Sequence, residues 1–320
     1  MRNPHFKSTL FCFALLVIPS ARADNGWEDH ILSLKWENDA TAGSDKHYTQ
    51  GAQISYLSKD DALPGWLKGF SSWVPALGFD VQAEKFGVAL TQEIYTPEDL
   101  EASSLVVDDR PYAGWLYGTG TLQRRGQTRN GISVMENLKL DLGVIGPESL
   151  AEETQKSWHG VAPQGWSHQL KTEPGVNLRY DRSFLLAARN KETHWGADII
   201  PSFDVSAGNV LTYFEIGSIF RAGYNIPNEF ATTREPRQFG AYFFTHPQGR
   251  WVLRDIFLDG NTFRDSHSVD KRPLVGDVRI GLTVVLKGLE VSVAHTFVSQ
   301  EFKGEKGFDS YGTATFTVKF

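Results

Sequence analysis

Cysteine is almost missing from the chain: of its 320 residues only Cys12 carries a thiol. Cys12 lies in a segment with the marks of export, residues 1–23, with Arg2 and Lys7 at its start, an apolar stretch over 10–18, and Ala21-Arg22-Ala23 before Asp24. That pattern predicts a cleavable secretory signal, so the exported protein, residues 24–320, should hold neither a disulfide nor a free thiol. No cysteine follows the expected cleavage point, which argues against a lipid anchor there. After this segment no apolar run approaches the roughly 20 residues that a membrane-crossing helix requires. A helical membrane protein is therefore excluded. Basic runs are also missing, and the formal net charge is −6, so nucleic acid is not an expected partner. Finally, no Gly-x-Ser-x-Gly elbow is visible to present a serine nucleophile.

What the chain does have is period-two alternation. Over 311–320 one alternate set is Gly312, Ala314, Phe316, Val318 and Phe320, and the other is Tyr311, Thr313, Thr315, Thr317 and Lys319. A soluble sandwich strand turns such an apolar face inward, whereas a membrane barrel turns it toward lipid and fills its lumen with the polar set. Similar segments cover 30–39, 47–58, 85–95, 111–123, 133–145, 172–186, 193–206, 213–225, 239–258, 275–287 and 288–300, which makes twelve with the last. Pro247 makes 239–258 a candidate for two strands. An even count, an export segment and a terminal aromatic, Phe320, together favour an all-β fold: an antiparallel transmembrane β-barrel of about twelve strands in the outer membrane of a Gram-negative bacterium. A monomer is expected. Trp36, Tyr48, Tyr95, Tyr112, Trp115, Tyr117, Trp195, Tyr213, Tyr224, Trp251 and Tyr311 fall near strand ends and fit aromatic girdles at the membrane surfaces.

Counting strands outward from the periplasm places the connections 40–46, 96–110 and 146–171 on the outer rim. One inner connection, 59–84, is too long for a periplasmic turn and carries Trp66, Phe70 and Trp73. It reads either as a short helix at the inner membrane interface or as a plug packed under the barrel.

The outer connections hold the residues that suit chemistry. Pro147, the acidic residues after it and Gly160 predict a short helix over 147–159, extracellular and following the fifth strand. On it Gln155 and His159 would share a face, and His159 suits a general base, or merely caps the negative helix end. Asn38-Asp39 and Tyr48-Thr49-Gln50-Gly51 flank the first outer loop, offering hard oxygen ligands of the kind calcium accepts, or simply the residues of a polar turn. Arg110, between Asp109 and Pro111-Tyr112, suits holding a phosphate or sugar, or fixing its loop by ion pairs.

Taken in order, Asn38-Asp39, Tyr48-Thr49-Gln50-Gly51, Asp109-Arg110-Pro111-Tyr112, Gly143 to Pro147, Gln155, His159, Gly165-Trp166 and Gln169 resemble the outer-membrane lipid A 3′-O-deacylase family. The resemblance implies a twelve-stranded barrel with a calcium-dependent esterase site between its outer rim and a short helix. It implies His159 as catalytic base with Gln155 one turn earlier in support, and Asn38, Asp39 and Thr49 around the metal and the reacting carbonyl. Arg110, Tyr112 and Trp166 become the expected contacts to lipopolysaccharide. Two departures stand out: Ala102-Ser103-Ser104 replaces adjacent basic residues after the third strand, and Trp166-Ser167 stands where a tyrosine is found. Recognition of the lipid A phosphate, sugar or acyl chain is expected to differ at both. Outside this family, a serine-dependent outer-membrane phospholipase and a non-enzymatic channel are the competing readings.

Overall fold

The computed structural model describes residues 30–39, 47–158, 163–189, 193–232 and 239–320. The expected signal segment and His159 lie outside the described residues. Twelve antiparallel strands close into a barrel in which every strand pairs with its sequence neighbours and β1 pairs with β12. They are β1 Ile31–Asn38, β2 His47–Leu57, β3 Asp80–Thr96, β4 Ala113–Gln127, β5 Ser133–Ile145, β6 Glu173–Arg189, β7 Trp195–Gly208, β8 Leu211–Tyr224, β9 Gly240–Asp255, β10 Leu274–Leu286, β11 Leu289–Val298 and β12 Asp309–Lys319. Among the described residues three α-helices lie in connections: α1 Gly65–Ser71, α2 Ala151–Trp158 and the single turn α3 Ile256–Asp259. Closure leaves no unpaired strand edge, the condition for β-structure in hydrocarbon.

The two faces of the wall follow the alternation. One set carries exposed apolar side chains, among them Val88, Leu90, Leu140, Leu142, Val176, Leu178, Phe214 and Ile216, and faces lipid. The other fills the lumen with paired charges. Lys139 reaches Asp181 at 2.6 Å, Arg179 donates to Asp141 at 2.6 and 2.9 Å, and Arg250 donates to Glu215 at 2.8 Å.

Connection length distinguishes the rims, because periplasmic turns of such barrels are short and outer loops long. The outer rim carries 97–112, 146–172, 256–273 and 299–308, and the inner rim the turns 128–132 and 287–288. The expected inner insert is shorter than predicted, since 80–84 join β3 and leave 58–79 as the connection. Pro247 does not split β9. It sits opposite Val278 in a continuous ladder with β10, while pairing with β8 lapses between Gln248 and Thr245, as a residue without an N–H requires.

Most of the expected girdle aromatics turn out to face the lumen. Tyr48 donates to Glu37 at 2.8 Å, Tyr117 donates to Glu93 at 2.8 Å, Trp115 stacks on Tyr117 with centroids 3.7 Å apart, and Arg250 lies over Tyr213. Tyr95 stacks on Phe257 of α3 at 4.0 Å and Tyr48 meets Tyr311 at 4.9 Å. Trp115, Tyr117 and Phe257, with Tyr95 packed against them and with Ile145, Leu170, Val210 and Ile256, form a hydrophobic cluster that fills the outer mouth. Their burial is a filled lumen, not a lipid belt; Trp195, Tyr224 and Trp251 remain on the outer face.

Candidate active site on the outer wall

The first hairpin sets the polar end of the site. Asn38 Nδ2 donates to Thr49 O at 3.1 Å, and the Asp39 amide to the same oxygen at 3.4 Å, so the end of β1 is held against the start of β2. Simple alternation from Gly51 and Gln53 would turn Thr49 into the lumen. A register shift between Tyr48 and Gln50 inserts Thr49 as an extra residue in the β2–β3 ladder and re-aims it to the lipid-facing side. There Thr49 Oγ1 meets Thr96 Oγ1 at 2.7 Å, both residues being fully buried. Asn38, Asp39 and Thr49 are all buried, and their carboxylate, amide and hydroxyl oxygens make a hard donor set of the type calcium takes.

The helical insert forms the opposite wall. A single helix over 147–159 was expected; instead Pro147–Ser149 is a 3-10 turn, Leu150 takes a left-handed φ of 58°, and α2 starts at Ala151. The break turns α2 down onto the outer surface of β3 and β4. Gly114 makes this approach possible, because a Cβ there would lie 2.1 Å from Ser149 Oγ and 2.3 Å from the Ala151 Cβ. Gln92 Nε2 fixes the turn by donating to Ser149 O at 2.7 Å, and Ser149 spends its own hydroxyl on Gly146 O at 2.6 Å.

A second cluster then joins insert to wall: Ile94 on β3, Tyr112, Ala151 on α2 and Trp166, with Leu100 against it. Tyr112 and Trp166 meet with centroids 4.9 Å apart, and the Trp166 indole donates to Gln155 Oε1 at 2.9 Å across fully buried surroundings. Thr96 and Ile94, two positions apart on β3, share a face. A contiguous path therefore runs from Asn38 through Thr49 and Thr96 to Ile94, Trp166 and Gln155. Asn38, Thr49, Tyr112, Gln155 and Trp166 lie on this path or in contact with it, outside the barrel rather than in its lumen, and Asp39 joins it through its backbone amide.

Arg110 goes elsewhere. Its guanidinium is 1 % exposed, donates to Glu301 at 2.6 Å, and lies between the rings of Tyr95 and Phe302 at 5.5 and 5.7 Å. Of the two roles open to it in the sequence, this geometry matches ion-pairing that fixes loops, because the fork is engaged inside the mouth and is not open to a headgroup.

Beside it is a group that no motif in the sequence marks. His47 Nδ1 meets Asp309 Oδ2 at 2.5 Å, and Nε2 lies 3.3 Å from Asp109 Oδ1. With a carboxylate facing each ring nitrogen, the ring serves as an imidazolium clamp between the 97–112 loop and the start of β12, with Glu305 of the 299–308 loop 3.6 Å from Nδ1. Among the described residues His47, Glu305 and Asp309 also bring one ligand atom each within 4.8 Å of the others, but a cation there would have to displace the imidazolium charge. Burial raises Asp109, yet the bonds from His47 and from the Glu98 amide hold its carboxyl below the usual range. Burial and the Asp309 carboxylate push Glu305 up to about 7. His47 opens β2 and Asp309 opens β12 at the same rim, on either side of β1, so closure of the predicted barrel was the one signal that could have found the pair.

With this geometry in hand, comparison with known proteins is informative. The family model described as outer membrane protein LpxR matches residues 9–320. No curated protein sequence matches the chain. Among solved structures, LpxR from Salmonella typhimurium superimposes with a TM-score of 0.70 at 19 % identity, covering 91 % of this chain and 100 % of that one, which establishes a common fold. The β domain of the Bordetella autotransporter BrkA gives a TM-score of 0.47 at 10 % identity over 91 % of this chain and 99 % of its own, too distant to carry an argument.

Proposed function

The chain belongs to the LpxR family of outer membrane proteins, and from that premise we propose that it hydrolyses the ester-linked 3′ acyl chain of lipid A in the outer leaflet. The observation that carries this reading is the convergence of Asn38, Thr49, Gln155, Tyr112 and Trp166 on the lipid-facing wall at the outer rim. A substrate lying alongside the barrel presents its acyl esters to that surface, and not to a lumen whose mouth is filled by Phe257, Trp115 and Arg110.

His159 follows α2 directly in sequence and takes the proton from the attacking water, since an ester hydrolase needs a base and no serine elbow is present. Gln155, its oxygen held by the Trp166 indole, steadies the last turn before that base. In the Thr49–Thr96 pair one hydroxyl proton is used between the two oxygens, which leaves the other to donate to the oxyanion that forms as water adds. Asp39 with Asn38 would hold a calcium ion, which would supply Lewis-acid polarisation of the acyl carbonyl. Tyr112 and Trp166, buried with Ile94 and Ala151, back the wall along which an acyl chain lies.

Lipid A from cells expressing the wild-type chain and His159→Ala, compared by mass spectrometry, tests the proposal. The wild type should lack the 3′-linked acyl mass and the variant should retain it. Equal release by both would remove His159 as base, and unchanged lipid A in both would remove the substrate.

A further inference from the structure

The inner connection 58–79 is a plug or an interfacial element on sequence grounds; Asp60 near its start pairs with Lys85 and Arg125 at the lumen mouth, and the tethers of the part that follows distinguish the two. Lys85, Arg125, Asn137 and Asp181 belong to the lumen-facing set, so Glu84, Arg124, Glu136 and Arg182, each one position away, point out of the barrel. On that outer surface Arg124 Nε donates to Glu136 at 2.7 Å and Arg182 Nη2 to the same carboxylate at 2.5 Å. The remaining donors of both arginines go to the insert. Arg124 binds Val74 O at 2.7 Å and Pro75 O at 3.1 Å, while Arg182 binds Leu77 O at 2.6 Å and lies 5.1 Å over the Phe79 ring. Ser71 donates to Glu84. A charged cluster on the outer wall has no place in hydrocarbon, so it marks the inner edge of the apolar belt, and the insert wraps it there.

So anchored, α1 turns Leu67 and Ser71 inward and presents the opposite face to the surroundings. Trp66 is 75 % exposed, Phe70 47 %, Trp73 87 % and Leu77 64 %, with the exposed Lys68 among them. Large aromatics are not left bare in this number without a partner. The partner follows from continuity, because the same rim carries a girdle already committed to the membrane surface. His30 stacks between Tyr56 and Phe320 at 5.7 Å each, Tyr56 meets Phe86 at 6.0 Å, and further round Tyr224 lies between Trp195 at 5.9 Å and Phe239 at 6.4 Å.

We infer that 58–79 is an interfacial foot that seats Trp66, Phe70 and Trp73 at the headgroup boundary of the inner phospholipid leaflet, with Lys68 toward the lipid phosphates. Indole and phenyl rings with a nearby cation partition into this boundary in preference to either water or hydrocarbon. The foot fixes the height of the barrel in the bilayer, and with it the level at which the outer-wall site meets its lipid. This inference rests on the outer-membrane placement alone and not on the hydrolase reading.

Its test reads depth and not hydrolysis. In the full chain carrying Cys12→Ser, a single thiol is introduced by Trp73→Cys, or in parallel by Trp66→Cys, and labelled with a bimane fluorophore. The control is Asn130→Cys, in the inner-rim turn 128–132 away from the foot. Each protein is reconstituted in phosphatidylcholine–phosphatidylglycerol vesicles containing lipids spin-labelled at a shallow or a deep position. At 73 and 66 the shallow spin label should quench at least twofold more than at 130, and aqueous iodide correspondingly less. Iodide quenching at 73 and 66 equal to that at 130, with no lipid quenching, would overturn the inference, and would also be the outcome if a protein partner covers this face in the cell.

Discussion

Gly114→Ala adds one methyl group and should disable the site without opening the barrel. The new Cβ would lie 2.3 Å from that of Ala151, whereas ordinary contact begins near 3.4 Å, so α2 must move out by roughly 1 Å. Ser149 Oγ, 2.1 Å away, can rotate only by giving up its bond to Gly146 O, which makes the helix the part that yields. Overpacking of this kind costs about 1–3 kcal/mol, and it falls on the insert because the β4 backbone is held on both sides by β3 and β5. A displacement of about 1 Å near reacting groups lowers turnover by up to about 100-fold. The assay is release of the 3′ acyl chain from purified lipid A, with heat-modifiable electrophoretic mobility as the check that the barrel has closed. Wild-type turnover in a closed Gly114→Ala barrel would refute the claim that catalysis depends on α2 seated against this wall.

Other expectations follow from the same geometry. Trp166→Phe removes the donor to Gln155 Oε1 and leaves a buried amide oxygen short of its partner, a cost of about 1–3 kcal/mol. A double-mutant cycle with Gln155→Ala, read by thermal denaturation and by turnover, should show the two positions to be coupled. Arg110→Ala should lower the melting temperature by breaking the bond to Glu301 while leaving the positions of acyl release unchanged; a changed acyl pattern would return Arg110 to the substrate site. Glu305 is raised from 4.5 to about 7, so the native loop keeps a proton that the unfolded chain has lost. Its contribution is full below about pH 4.5 and fades as pH rises toward 7, so hydrogen exchange in 299–308, corrected for intrinsic rates, should quicken over that interval. Glu305→Gln should flatten that dependence, and an unchanged profile would exclude Glu305 as its source.

The barrel was legible because a wall between lipid and a polar lumen imposes period two on every strand, and the count of twelve followed from it. Which face an aromatic occupies was not legible, since parity depends on register. Tyr48, Tyr95, Trp115 and Tyr117 have the composition of a girdle and serve as lumen packing. The bulge at Thr49 is the sharpest case, because one inserted residue moves a site residue from lumen to outer wall and nothing in Tyr48-Thr49-Gln50 announces it. The break at Leu150 was equally hidden, as a leucine at positive φ has no local signature. The site itself was half legible: its oxygen donors, Gln155 and Trp166 stand out by type and order, whereas the retreat of Arg110 into the mouth depends on Glu301, far along the chain.

The most direct measurement is mass spectrometry of defined lipid A incubated with the purified wild-type chain and with Asp39→Ala, each with calcium and with a chelator. Loss of the 3′-linked acyl mass should occur for wild type with calcium alone, and should vanish on chelation and in the variant. Lipid A left intact under all four conditions, or the same release from Asp39→Ala as from wild type, would contradict an esterase centred on the first hairpin and the outer wall.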